Sequence, residues 1–327
     1  MSPSDLKHFK LNNGTSMPAV GIGCWMGTVG EGDHVTAMVK NALEIGYRHI
    51  DTTHPSLSAS GNEESVGKAL KEAGIPRHEI FLTTKLESKD HGRVEHALDT
   101  SLTKLAVDYV DLYLMHWPMA FDETGTHRAC RLGRTLQPGE HPTFVETWHD
   151  MEKLLAGGKV RAIGVSNFSI KTLSELLPHA NVVPAVNQVE LHPCLPQHSL
   201  LDFCAERGIL LTAYSPLGKH KFADDPSIVN IAKAHGPDVT GAQVLLSWGV
   251  QRGTAVVPKT LHASRMRENL ELVQLSKEEM DALDKFHTKP GMHRSVCGFH
   301  SPALGGSCFG WTYDQLGWQM TVGGVHL

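Results

Sequence analysis

What most constrains this chain is a rhythm. A short apolar run ending in polar residues is followed by a longer stretch of 3.6-residue hydrophobic periodicity, and the unit recurs from Ala19 to Pro258 of the 327 residues. The apolar runs predict strands over Ala19–Gly23, Arg48–Asp51, Ile80–Lys85, Val110–His116, Ala162–Ser166, Ala185–Glu190, Leu210–Tyr214 and Ala255–Pro258. Between them the periodicity predicts helices over Val35–Ile45, Glu63–Ala73, Val94–Leu105, Val145–Leu155, Ile170–Leu177, Leu200–Arg207 and Ala242–Val250. Eight strands alternating with helices point to an α/β fold, a (β/α)8 TIM barrel, spanning residues 1–327 as a single domain. The rival fold, a doubly wound sheet, wants a glycine-rich turn after an early strand. Here Gly21-Ile22-Gly23-Cys24-Trp25-Met26 lacks the third glycine. Before the repeats, His8–Leu11 and Ser16–Ala19 flank Asn12-Asn13-Gly14, which predicts a hairpin. Pro118 to Thr143 and Lys289 to Leu327 break the rhythm and are expected to frame the active-site mouth as long loops.

Composition narrows the function. With 41% hydrophobic and 20% charged residues, the chain has the material for a folded core. Lys plus Arg total 30 against 35 Asp plus Glu, a net charge of -5, so neither nucleic acid nor a membrane is expected as a partner. The start, MSPSDLKHFKLNNG, has no apolar core of a secretory signal, and no run is long enough for a membrane helix. Six cysteines (Cys24, Cys130, Cys194, Cys204, Cys297, Cys308) form no CxxC pair and read as reduced thiols of a cytoplasmic protein. The 21 histidines contain neither HExxH nor HxH, so no metal site is expected. The chain is expected to act as a monomer on a small molecule.

Barrel enzymes place their chemistry at the carboxyl ends of strands. Those ends here are Asp51, Lys85, His116-Trp117, Ser166-Asn167, Gln188 and Glu190, Tyr214-Ser215, and Lys259-Thr260. A carboxylate, an ammonium and an imidazole on neighbouring strands suit a coupled acid–base cluster. Five segments then carry a resemblance. They are Gly46-Tyr47-Arg48-His49-Ile50-Asp51, Asp111-Leu112-Tyr113-Leu114-Met115-His116-Trp117-Pro118, Gly158 to Asn167, Ala213-Tyr214-Ser215-Pro216-Leu217-Gly218, and Val257-Pro258-Lys259-Thr260 with Arg265 and Asn269. In this order and spacing the chain resembles the aldo-keto reductases, from Gly21 to about Asn269.

The resemblance implies NADPH-dependent reduction of aldehydes or ketones to alcohols, with NADP(H) extended across the barrel mouth. It implies catalytic roles for Asp51, Lys85 and His116. The cofactor positions it implies are Cys24, Trp25, Asp51, Ser166, Asn167, Gln188, Tyr214, Ser215, Leu217, Gly218, Lys259, Thr260, Arg265, Glu268 and Asn269. Their chemistry agrees with this. The hydroxyl and amides of Ser166, Asn167 and Gln188 suit a carboxamide, and the ring of Tyr214 suits stacking. Lys259, Thr260 and Arg265 suit a 2′-phosphate. Trp25, His54, His116 and Trp117 are expected at the substrate.

One family position is missing. The pattern reads Asp, four residues, Tyr, one residue, Asn-Glu, whereas Asp51 is followed by a loop four residues longer that ends in Gly61-Asn62-Glu63. Counting forward from Asp51 gives Ser56, and counting back from Asn62 gives Ser60. The five tyrosines are Tyr47, Tyr109, Tyr113, Tyr214 and Tyr313, and only Tyr313 is not already assigned to a strand or the cofactor. The expectation is a reductase with weakened or rearranged proton donation, His116 being the main remaining donor and His54 a second imidazole. The alternatives are a barrel that binds NADPH with little turnover and a regulatory module that senses the cofactor.

Overall fold

The computed structural model describes residues 7–26, 32–52, 62–122, 134–300 and 305–327. The chain opens with a hairpin of β1 (His8–Lys10) and β2 (Ser16–Pro18), antiparallel with His8 opposite Pro18. Gly14, at φ +87°, takes the left-handed turn position that a side chain would resist. Leu11 and Met17 from this hairpin pack on Phe81, Leu112, Ala162, Val186 and Ala255 near the strand starts, so the hairpin plugs the barrel floor.

The barrel begins with β3 (Ile22–Gly23), β4 (His49–Asp51), β5 (Phe81–Leu86) and β6 (Val110–Met115). Short β7 (Phe121–Asp122) and β8 (Arg134–Thr135) pair outside it. It continues with β9 (Val160–Ser166), β10 (Val186–Glu190), β11 (Leu210–Tyr214) and β12 (Ala255–Val257). All eight barrel strands run parallel in the order β3-β4-β5-β6-β9-β10-β11-β12. A bridge between Val20 and Val256 closes the ring, with the Gly21 N–H donating to Val256 O at 2.9 Å and the Val256 N–H to Ala19 O at 2.8 Å. Alternation along β5 turns Phe81 and Lys85 to the interior, whereas Thr84 turns out and donates to Glu63 of the helix layer at 2.7 Å.

The helices are α1 (Gly32–Ile45), α2 (Glu63–Ala73), α3 (Val94–Leu105), α4 (Phe144–Leu154), α5 (Ile170–Leu176), α6 (His198–Ala205), α7 (Pro226–His235), α8 (Gly241–Gln251), α9 (Ala263–Leu270) and α10 (Lys277–Asp284). Capping boxes start several of them: Thr143 with Glu146, Ser169 with Thr172, Thr240 with Gln243, and Ser276 with Glu279. The predicted one-helix-per-strand pattern fails after β11, where two helices follow. The earlier one, α7, buries only Ile228 and Ala232, too sparse a stripe to register as periodicity.

The tail adds α11 (Tyr313–Leu316) and two short hairpins. As expected of the two long loops, they meet over the mouth. The Thr135 hydroxyl donates to Phe309 O at 2.6 Å and the Trp311 ring N–H to Leu136 O at 2.7 Å. At the end of β10, Glu190 accepts from the Val296 N–H at 2.7 Å and from the Ser295 hydroxyl.

Candidate active site

The barrel brings Asp51, Lys85 and Gln188 together. Lys85 Nζ lies 2.7 Å from Asp51 Oδ1 and donates to Thr52 O at 3.0 Å, and Gln188 Nε2 donates to Asp51 Oδ2 at 2.7 Å. The ion pair is almost fully buried, so both carboxylate oxygens need the partners they have. Below it, His49 bridges Thr83 and Pro18 O, and burial lowers its pKa so that it stays neutral under the pair.

His116 follows β6 and is held by its backbone from two sides. Its N–H donates to Leu86 O at 3.0 Å, and its carbonyl accepts from Asn167 Nδ2 at 3.0 Å. Its ring Nδ1 lies 3.0 Å from Oε1 of Glu87, a buried residue two positions beyond Lys85. Sequence reasoning passed over Glu87. Only its spacing of two from Lys85, at the carboxyl end of a strand, could have flagged it.

Each tyrosine can be placed. The Tyr47 hydroxyl donates to Met266 O at 3.0 Å, and Tyr109 lies between the guanidiniums of Arg77 and Arg161. Tyr113 faces the helix layer and lines a cavity of about 250 Å³ together with Lys85, Glu87, Ser101 and Lys104. Tyr214 donates to Asn167 Oδ1 at 2.8 Å. Tyr313, the tyrosine not assigned to a strand or the cofactor, is buried beside His300, whose Nδ1 is 3.1 Å from its hydroxyl. No tyrosine bonds Asp51 or Lys85 among the described residues. His54, Ser56 and Ser60 lie outside the described residues.

Most of the positions expected at the cofactor fall into three groups. Ser166, Asn167, Gln188 and Tyr214 form one hydrogen-bonded edge of the mouth, the Ser166 hydroxyl donating to Gln188 O at 2.8 Å and Asn167 sitting at φ +64°. Burial raises the Tyr214 pKa, which keeps its hydroxyl a neutral donor. Ser215, Leu217 and Gly218 follow β11, and a side chain at Gly218 would run into the Phe222 ring. Lys259 and Arg265 are exposed and form no ion pair among the described residues, beside buried Thr260 and half-buried Glu268. Two solvent-facing cations without a carboxylate partner are the donor set a nucleotide phosphate needs, so the residues present fit NADP(H).

Two of the expected contacts turn inward. Cys24 is fully buried, its N–H donating to Asp51 O at 2.9 Å and its carbonyl accepting from Asn62. Burial and the Asp51 carboxylate push its thiol pKa up, so it remains a neutral thiol. Asn269 is buried against Tyr47, whereas Arg265 on the same helix is exposed. The tryptophans expected at the substrate differ in exposure. Trp25 is 60% exposed at the mouth, with Lys219 Nζ 5.9 Å above its ring. Trp117 is buried, its ring meeting Phe309 at 4.9 Å, Phe299 at 5.3 Å and Trp318 at 6.0 Å. The sequence marks the tail as an aromatic-rich loop at the mouth, but nothing local links these particular rings to Trp117.

The described residues thus form a parallel barrel with the buried Asp51–Lys85 pair at the carboxyl ends of its strands and solvent-facing Lys259 and Arg265 after the last of them. The profile of the aldo/keto reductase family matches residues 19–288. The chain is similar to the D-galacturonate reductase of Hypocrea jecorina, with 45% identity over 289 residues, 85% of this chain and 89% of the relative. It is also similar to the glycerol 2-dehydrogenase (NADP(+)) of Saccharomyces cerevisiae, 41% identical over 307 residues, 90% of this chain and 96% of the relative. The crystal structure of a Bombyx mori aldo-keto reductase in complex with NADP matches with a TM-score of 0.76 at 33% identity, covering 86% of this chain and 92% of that one. This chain belongs to the aldo/keto reductase family and is an NADP(H)-dependent oxidoreductase.

Proposed function

We propose that the rim reduces small aldehydes and ketones to alcohols, and does so slowly with ordinary carbonyls because no phenol stands by Lys85. The observation that carries this reading is the buried Asp51–Lys85 pair with no tyrosine on it among the described residues. NADPH supplies the hydride. The chain's own residues do the rest. Ser166, Asn167 and Gln188 orient the carboxamide, Tyr214 supports the ring, and Lys259, Thr260 and Arg265 hold the 2′-phosphate. Trp25 and Trp117 exclude water from one side of the reacting carbonyl. Negative charge developing on the carbonyl oxygen meets the Lys85 ammonium and the His116 imidazole. The reading takes the chain as a monomer in the cytoplasm, the free thiols at all five described cysteines supporting the compartment alone. No helix among the described residues is long and apolar enough to cross a membrane.

The test is steady-state reduction with NADPH over a panel of sugar-derived, aliphatic and aromatic carbonyls, with dissociation constants for NADPH and NADH measured by fluorescence quenching. NADPH is expected to bind more tightly. Arg265→Ala should remove about 1.5–3 kcal/mol of NADPH binding, the worth of one charge-assisted contact, and leave NADH nearly unchanged. Equal affinities in the unaltered protein would sink the phosphate assignment. Turnover of ordinary carbonyls at rates typical of tyrosine-bearing relatives would sink the slow-turnover half of the reading.

A further inference from the structure

We propose that Glu87 and His116 form the proton-donating pair of this rim, in place of a phenol. Glu87 is a positioning residue: it holds the His116 proton on Nδ1, so that Nε2 delivers the proton to the carbonyl oxygen. The inference rests on the carbonyl-reducing reading above.

The geometry points one way. A carboxylate accepts hydrogen bonds and donates none, so the ring nitrogen 3.0 Å from Glu87 Oε1 is the one that carries hydrogen. Nε2 bonds no protein group among the described residues, and the His116 side chain is 18% exposed, so this nitrogen is open to a ligand. The imidazole is fixed along its whole length. Its backbone is tied to Leu86 and Asn167, its Nδ1 is tied to Glu87, and its ring centroid lies 6.3 Å from that of Trp117. Lys85 is less free to serve, because it is drawn into the pair with Asp51 and bonded to Thr52 O as well. Asp51 in turn is held by Gln188. A histidine oriented by a buried carboxylate is a general acid–base arrangement in which the carboxylate sets the tautomer and stabilises the imidazolium.

The step balances. The carbonyl carbon accepts the hydride that NADPH supplies, the carbonyl π pair moves to oxygen, and that oxygen takes the proton from imidazolium Nε2. The products are the alcohol, NADP⁺ and neutral His116 with hydrogen still on Nδ1. Glu87 neither gives nor takes a proton. Water at the mouth returns one to Nε2 after the alcohol leaves.

Glu87→Gln keeps the size of the side chain and removes its charge, whereas Glu87→Asp keeps the charge. In single-turnover reduction by protein loaded with NADPH, Glu87→Gln is expected to slow by about 10²-fold, the lower end of what a lost general acid costs. Glu87→Asp should recover part of that loss, and the NADPH dissociation constant of both variants should stay within about twofold. A second readout needs no turnover. Nitrogen-15 NMR of histidine-labelled protein should show the neutral His116 ring protonated on Nδ1, and Glu87→Gln should release that preference. Equal single-turnover rates in Glu87→Gln and the unaltered protein overturn the proposal, as does a neutral ring protonated on Nε2 in the unaltered protein. If the unaltered protein reduces no carbonyl, the carbonyl-reducing reading itself has failed. The tautomer signal tells the two failures apart.

Discussion

Asp51 shows how tightly a single buried charge can be specified. Both of its oxygens are taken, one by Lys85 and one by Gln188 from the opposite side of the ring. Removing one partner leaves the other charge buried without compensation, which is far costlier than losing the pair as a whole. Lys85→Met is therefore expected to destabilise the fold by about 3–5 kcal/mol. The double variant Asp51→Asn/Lys85→Met should recover a substantial part of that. Urea unfolding of the three proteins checks it, and a double variant no more stable than Lys85→Met would show that the carboxylate is satisfied without the ammonium. Both residues of this pair are legible in the sequence as strand-end positions. Gln188 reads there as a cofactor group, and its bond to Asp51 is invisible, because the two lie 137 positions apart and meet only across the closed barrel.

At the scale of elements, the carboxyl-terminal segment is the part held by titratable contacts, and its two attachments titrate in different windows. His293 stacks on His326 with ring centroids 3.9 Å apart, and His287 and His198 complete the cluster. Burial first, and then the neighbouring imidazoles of His326, His287 and His198, bring the His293 pKa from 6.5 down to about 4. A histidine that binds its proton less readily when folded stabilises the docked state fully above its ordinary value. That contribution is lost as pH falls from 6.5 to about 4. Glu190 behaves as a depressed carboxylate. Burial pushes it up, but bonds from His192, Ser295 and Val296 outweigh burial and hold it at about 2. Its contribution is complete above 4.5 and fades only as pH falls towards about 2. Hydrogen exchange, corrected for the intrinsic pH dependence of amide exchange, should therefore show the strand at Val325–His326 loosening first and the Ser295–Val296 anchor persisting to lower pH. Simultaneous loss of both would contradict this order.

For the molecule as a whole, the wall of the barrel sets the tolerance. Gly164 lies in the middle of β9, where an added Cβ would stand 2.6 Å from Val186 O and 2.8 Å from Leu114 Cδ2. One of those neighbours is ladder backbone and cannot step aside without moving β10, the strand that carries Gln188. Gly164→Ala is expected to destabilise by about 1–3 kcal/mol through overpacking, with the urea slope unchanged. It should also weaken NADPH binding, although Gly164 itself is buried in the wall. An unaltered midpoint would mean that the strands separate more easily than this spacing allows.

The sequence by itself determined the alternation of strand and helix, the barrel it builds, and which polar residues would crown each strand. Those features are local: hydrophobic period, capping pairs such as Thr143 with Glu146, and position at a strand end are all read within a dozen residues. It also shows that no tyrosine occurs between Asp51 and Glu63, since that follows from counting alone. The tertiary structure decided the rest. It set Glu87 against His116, turned Cys24 and Asn269 inward, placed Tyr313 behind His300, and brought Phe299, Phe309 and Trp318 of the tail onto Trp117. Each of these depends on which distant elements a closed ring makes neighbours. A side chain at the rim of a barrel meets whatever the adjacent strands and the returning tail bring to it, and chain spacing carries no record of that encounter.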